Sequence, residues 1–290
     1  MRALRQQTVL WVLVLLITLG CRAQEPQLPE PVPERPPVGV QNEQTSATDQ
    51  QPTGVQKKIS PEEANALFRS VDEILQFVSR DTGLPIKHDV KRKLASREEV
   101  QKYIQERMKD DEDRRRLERS EVVLKKFGLL PRDFNLQTFL VDLLKEQVAG
   151  FYNTKDKTVY LLDWVEPEAQ KPVLAHELTH ALQDQNFGLE KWLKAAKGGK
   201  AGSPEALMED ERVAARQAVS EGQAMVTLLD YMLADTGQSL QKNPQIADAV
   251  LAGMMQSGQT PLFTKAPMFL RELLVFPYQF GLKFERDVLV

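Results

Sequence analysis

The strongest constraint on this chain is the pentapeptide His176-Glu177-Leu178-Thr179-His180, set between Val173-Leu174-Ala175 and Ala181-Leu182. Helical side chains four positions apart share a face, so on a helix His176 and His180 point the same way. Leu174, Leu178, Ala181 and Leu182 form an apolar stripe at helical spacing, which commits the helix to a core. Pro172 fits its first turn, where a missing N–H costs little. A buried helix has little reason to carry two imidazoles and a carboxylate unless they have a partner. Two neutral imidazoles so placed can grip one Zn²⁺ per chain. Glu177 then stands beside the ion, able to take a proton from water.

A hydrolytic zinc site needs a third protein ligand and an open position. The chain has only three histidines, and no His follows His180. The third ligand is a carboxylate or His88. The best carboxylate is Glu221, in the stretch Met208 to Met232 that reads as one long helix. Ala214, Ala218, Ala224, Met225 and Leu228 fall on or near its face, and a carboxylate amid apolar residues is costly unless paired or metal-bound. The competing reading pairs Glu221 with Arg216 or Arg212. Glu209, Asp210 and Glu211 are rivals, but with Arg212 they read as a solvated helix start. Ala215, Ala218 and Gly222 are small, which predicts close approach to the His-bearing helix; Gly222 costs about 1 kcal/mol in a helix interior and needs such a reason.

At these residues the sequence resembles a known group. Val173 through Asp184 is similar to the active-site helix of the thermolysin-like gluzincins. The resemblance implies His176, His180 and Glu221 as ligands and Glu177 as base. It departs where the acidic residue expected four positions beyond the third ligand is Met225, so the carboxylate orienting a ligand His must come from elsewhere, with Asp184 the candidate. A closer resemblance is to uncharacterised, exported bacterial zinc-peptidase proteins. It rests on Glu146 to Tyr152, Thr158 to Leu161, the pentapeptide with Gln183-Asp184-Gln185, Ser220 to Ala224, and Phe276-Pro277-Tyr278 with Gly281 and Phe284.

The N-terminus reads as an export signal over residues 1–21: Arg2 and Arg5, then an apolar core from Thr8 to Leu19, short of the roughly 20 residues a spanning helix needs. Gly20-Cys21 resembles the lipobox of bacterial lipoproteins. Cys21 is the one cysteine, which suits lipidation there, excludes an intramolecular disulfide and restricts a metal site to nitrogen and oxygen ligands. Residues 22–57, with Pro26, Pro29, Pro31, Pro33, Pro36 and Pro37, cannot bury a core and read as an extended tether. The expected location is the cell envelope, lipid-anchored and facing the periplasm or exterior.

Residues 58–290 are left for the folded, zinc metallopeptidase-like part, α+β with helices predominating and a small sheet or hairpin beside the His-bearing helix. Ser60-Pro61-Glu62-Glu63 and Ser96-Arg97-Glu98-Glu99 are capping boxes. The first opens a helix to about Arg80; the second opens a long charged helix closed by Gly128. Ile86, His88, Val90 and Leu94 fit a period-two strand with His88 facing the core. A helix spans about Asn135 to Gln147. Gly150 to Tyr152, a turn at Asn153 to Lys157, and Thr158 to Leu162 read as a hairpin. Asn243-Pro244 opens a further helix, and Phe269 to Phe276 belongs to another.

The mixed-charge run Lys109 to Arg119 and a net charge of −3 argue against a nucleic-acid partner, and there is no phosphate-binding Gly loop. The leading reading is a zinc peptidase acting on a protein or peptide, with Phe151, Tyr152 and Tyr231 as candidate substrate-binding residues and Tyr231, Tyr278 or Arg216 as oxyanion donor. The alternative is a non-catalytic envelope lipoprotein whose zinc site is structural and whose domain binds a partner.

Overall fold

The computed structural model describes residues 58–107, 111–193, 203–257 and 260–289. The signal-like segment with Cys21 and the Pro-rich segment lie outside the described residues. Ser60 opens α1 (Pro61–Thr82) as a complete capping box, its backbone N–H bonded to Glu63 at 2.6 Å and its hydroxyl accepting the Glu63 N–H at 3.2 Å. After α1 come β1 (Lys91–Ala95), α2 (Arg97–Arg107), α3 (Asp111–Lys126), α4 (Leu136–Gln147), β2 (Phe151–Asn153), β3 (Thr158–Leu162), α5 (Pro167–Phe187) and α6 (Leu189–Leu193). They are followed by α7 (Pro204–Leu233), α8 (Ile246–Ser257), α9 (Pro261–Lys265) and α10 (Met268–Leu289). The class is α+β, as expected, with helices packed about a small mixed sheet.

The sheet has the order β1-β3-β2, with β1 parallel and β2 antiparallel to β3. The expected hairpin is β2–β3, in the register Phe151↔Tyr160 and Asn153↔Thr158, and its turn puts Lys157 at φ 58°. Two expectations for β1 fail. The strand begins only at Lys91, and His88 sits exposed in the preceding loop rather than in the core. The cause is Gln185 on α5, whose amide takes the Lys87 and His88 N–H groups at 2.8 and 3.1 Å and donates to the His88 carbonyl at 2.8 Å. Backbone groups satisfied by a side chain need no ladder. The Ser96 box also forms, its N–H bonded to Glu99 at 2.9 Å. The charged stretch behind it is described as α2 and α3, on either side of residues 108–110, which lie outside the described residues.

β3 feeds directly into α5. Buried Gln170 holds the junction, accepting the Leu162 N–H at 2.8 Å and donating to the Leu162 and Val165 carbonyls at 3.0 and 2.7 Å. Pro167, not Pro172, occupies the helix start, so Pro172 lies inside α5 and forgoes one backbone bond. From Val173 to Asp184 every residue of α5 is buried except half-buried Glu177. The helix is enclosed because α1 and the sheet cover one side, through Leu67, Val71, Ile74, Val78 and Val159 packed on Leu174, Leu178 and Leu182. α7 and α10 cover the other, with Val173 meeting Met225, Leu228, Tyr278 and Leu282.

The small residues of α7 do permit a close helix crossing, but with α10 rather than α5. A Cβ placed on Gly222 would fall on the Gly281 carbonyl, and one on Gly281 would fall on the Ala218 carbonyl. This backbone contact brings α10, and Tyr278 with it, against the face of α7 that carries Glu221. α8 starts at Ile246, with Asn243-Pro244 in the turn before it. No helix among the described residues is long and apolar enough to cross a membrane.

Candidate metal centre

α5 and α7 bring His176, His180 and Glu221 together, all buried, at 3 %, 6 % and 3 % exposure. The His176 and His180 Nε2 atoms are 3.1 Å apart, and Glu221 Oε2 lies 3.2 Å from the first and 3.3 Å from the second. Three donors on a tetrahedral zinc with arms of ~2.0–2.1 Å would stand about 3.3 Å from one another. The triangle therefore has the size of one face of such a tetrahedron. Although close to both nitrogens, Glu221 Oε2 receives no hydrogen bond of acceptable geometry. The two imidazole nitrogens lie within hydrogen-bonding reach of each other, and the three atoms are close enough together to share one cation.

The tautomer of His180 follows from its neighbours. The Ser220 carbonyl can only accept, so the Gln183 amide turns its nitrogen toward it, at 3.0 Å. Gln183 Oε1 is thereby left facing His180 Nδ1 at 2.9 Å, and Nδ1 must carry the proton. In the neutral ring the lone pair is then on Nε2, facing the triangle. Ser220 Oγ at 2.8 Å and Gln223 Oε1 at 2.9 Å complete the amide's bonds. The side chain that orients His180 is thus Gln183, whereas Asp184 bonds Tyr152 and Lys157. Burial opposes a charge on His180, but the Glu221 carboxylate outweighs it and pushes the imidazole up to about 9. Burial likewise works to raise Glu221, yet His180 and His176 hold it down at about 2. A proton or a metal ion can meet this demand for positive charge, and the two compete for it.

Glu177 accepts the backbone N–H of Tyr152 at 2.7 Å. Burial raises its pKa, the Glu221 charge adds to the rise, and the two histidines with the Tyr152 N–H pull against it; the net shift is upward. That suits a group which must both take and give a proton. Seven residues along the same face of α5, Asp184 accepts the Tyr152 hydroxyl at 2.9 Å and pairs with Lys157. The edge strand β2 is thus pinned to α5 at both ends of one residue.

The remaining candidates separate. Phe151 stacks between Tyr103 and Tyr160 at 4.5 and 4.6 Å and belongs to the core. Tyr231 packs edge-on against Phe77 at 5.3 Å in the α1–α5 cluster, away from the triad. Arg216 pairs with Glu209 and covers Trp192, and Arg212 also binds Glu209, so neither neutralises Glu221. Glu209 is consequently buried at 5 % exposure rather than solvated. Tyr278 does reach the site: its ring lies 6.2 Å from that of His176, and burial, then the charges of Glu221 and Glu177, raise its pKa well above the ordinary value. It keeps its proton and can donate it in a hydrogen bond. Comparison with protein-family models, with curated proteins and with solved structures finds no match, so the functional reading rests on this geometry.

Proposed function

We propose that the chain is a zinc-dependent peptidase of the gluzincin kind, exported and tethered to the cell envelope by lipid on Cys21. The observation that carries the reading is the convergence of His176 Nε2, His180 Nε2 and Glu221 Oε2 at 3.1–3.3 Å, with the Glu177 carboxylate beside them. A Zn²⁺ held by that triad would lower the pKa of water and polarise a scissile carbonyl. Glu177, positioned by the Tyr152 N–H, takes the proton from the water and passes it to the leaving amine. Tyr278 supplies a hydroxyl donor for the negative charge that develops on the carbonyl oxygen. Gln183 keeps His180 in the tautomer that leaves Nε2 unprotonated. The apolar stretch before Gly20-Cys21 supports export and anchoring.

The test measures metal content and peptide hydrolysis together in the full chain, held in mild detergent. About one zinc per chain is expected in the parent and in Glu177→Gln, with turnover of a mixed peptide library only in the parent. Equal turnover in both would overturn the role of Glu177. Zinc binding without turnover in either would select the non-catalytic lipoprotein, and absence of zinc would remove the basis of both. Cys21→Ser should release the protein from the membrane fraction; retention there would refute the anchor.

A further inference from the structure

Where α5, α6, α7 and α10 meet, the surface opens into a cavity of about 300 Å³, the lower end of the volumes that accept small organic ligands. Phe187, Leu189, Trp192 and Val219 make its apolar lining. Phe187 and Trp192 are 61 % and 45 % exposed and stand at the rim, whereas Gln183 and Ser220, each at 4 %, lie at its floor. His180 presents Nε2 to the triad and Nδ1 to Gln183. The cavity therefore reaches His180 through Gln183, on the Nδ1 side of the ring, and its lining contains none of the three converging residues.

Glu285 supplies the one carboxyl among the described residues of the lining. Burial alone lifts its pKa, and no basic side chain among the described residues is paired with it. Among the described residues, Arg286 is paired with Asp248 and Asp287, Lys283 lies over the face of Phe280, and Arg216 is paired with Glu209 and covers Trp192. A carboxylate without a cation beside aromatic walls selects a cation carried on an apolar body. Gln223 adds a donor, because its Oε1 is occupied by Gln183 Nε2 and its own –NH₂ is left for an acceptor on the ligand.

We propose that this cavity binds a small primary amine bearing a hydrophobic side chain and an adjacent carbonyl, the chemistry shared by free amino-acid amides and the N-terminal residue of a peptide. The side chain fills the space between Trp192, Phe187 and Val219, the ammonium meets Glu285, and the carbonyl meets Gln223. Gln183 belongs both to this floor and to the support of His180, so the two sites share a wall.

Isothermal titration of the full chain with L-phenylalaninamide tests the assignment. Saturable binding is expected, with at least a tenfold weakening for 3-phenylpropanamide, which lacks the ammonium. Glu285→Gln should weaken phenylalaninamide by a similar factor without altering side-chain shape. Val219→Trp should do so by filling the cavity; Val219 is 36 % exposed, so the larger side chain meets no core. His176→Ala should leave the affinity unchanged. The tripeptide Phe-Ala-Ala, measured in Glu177→Gln, separates the sources: binding equal to the amide assigns the cavity to peptide N-termini, and its exclusion assigns it to free amines. Equal affinity for 3-phenylpropanamide, parental affinity in both cavity variants, or loss confined to His176→Ala would overturn the proposal.

Discussion

Glu209 and Glu221 lie on the same helix and are buried alike, at 5 % and 3 % exposure, but the protein answers them differently. Glu209 receives Arg212 and Arg216 at 3.2 and 3.3 Å. A guanidinium is always charged and offers only donors, so that pairing is permanent and structural. Glu221 faces two imidazole nitrogens, and because Gln183 holds the proton on His180 Nδ1, Nε2 is the nitrogen of that ring that can give its proton up. Imidazoles can yield to an ion; guanidinium groups cannot. The difference teaches that what marks a buried carboxylate as a site is the kind of partner it has, not its burial.

The largest effect expected from this contrast is on metal content. His176→Ala or Glu221→Ala should lower zinc from about one per chain to near zero, because two ligands no longer define the site. Glu209→Gln should leave zinc in place and cost only stability, about 1–2 kcal/mol for the weakened charged hydrogen bonds. Metal analysis beside urea unfolding decides it. Zinc retained in Glu221→Ala and lost in Glu209→Gln would reverse the comparison.

Next in size is the α7–α10 contact that carries Tyr278 to Glu221. Gly222→Ala sets a methyl on the Gly281 backbone, which has no side chain to move aside. The cost should be about 3 kcal/mol, with the helices forced apart. Gly253→Ala on α8 meets nothing within 4 Å and should instead be neutral or gain up to ~1 kcal/mol from helix propensity. Equal unfolding midpoints for the two variants would mean that the crossing does not hold the site.

How much of this was legible beforehand depends on how local the signal is. The capping boxes at Ser60 and Ser96 are written within four residues, and both form. The His176–His180 pair is fixed by helix period, and Glu221 stood out because its own helix face is apolar. Glu209 misled because Arg212 and Arg216 share its helix, and nothing local shows that a carboxylate three and seven positions away from arginines is covered by tertiary packing. Gly222 announced a close approach without naming its partner; only the helix order assigns it to Gly281. The role of Tyr152 lies partly in a backbone N–H, which no residue type encodes. The Gln183–Ser220–Gln223 network needs the register of α5 against α7, and that is a property of the assembled core.

That network gives a smaller effect. Gln183→Leu leaves the ligands in place but removes the acceptor that fixes the His180 tautomer, so zinc affinity should fall about 10–100-fold. Ser220→Ala removes only one of the bonds holding Gln183 and should cost less. Competition with a chromophoric chelator measures both. Unchanged affinity in Gln183→Leu would show that the triangle alone orients His180.

The smallest effect concerns Asp230, which answers its burial in neither of the two ways seen at Glu209 and Glu221. It accepts the Leu240 N–H at 2.6 Å and faces Asp81 at the end of α1. Burial, then the charge of Asp230, raise Asp81 from 3.8 to about 6. The folded protein therefore keeps a proton on Asp81 up to about pH 6, whereas the unfolded chain releases it near 3.8. Across that window the native state binds more protons, so this pair makes stability fall as pH rises from about 4 to 6 and leaves it level above. Asp81→Asn should match the parent near pH 4 and exceed it at pH 7.5, by about 2 °C in Tm because Asp81 is open to solvent on one side. Comparing variant with parent at each pH cancels the titration of His180 and Glu221, which both share. Parallel Tm profiles would mean that the two carboxyl groups do not share a proton, and α7 would then hold only two kinds of buried carboxylate.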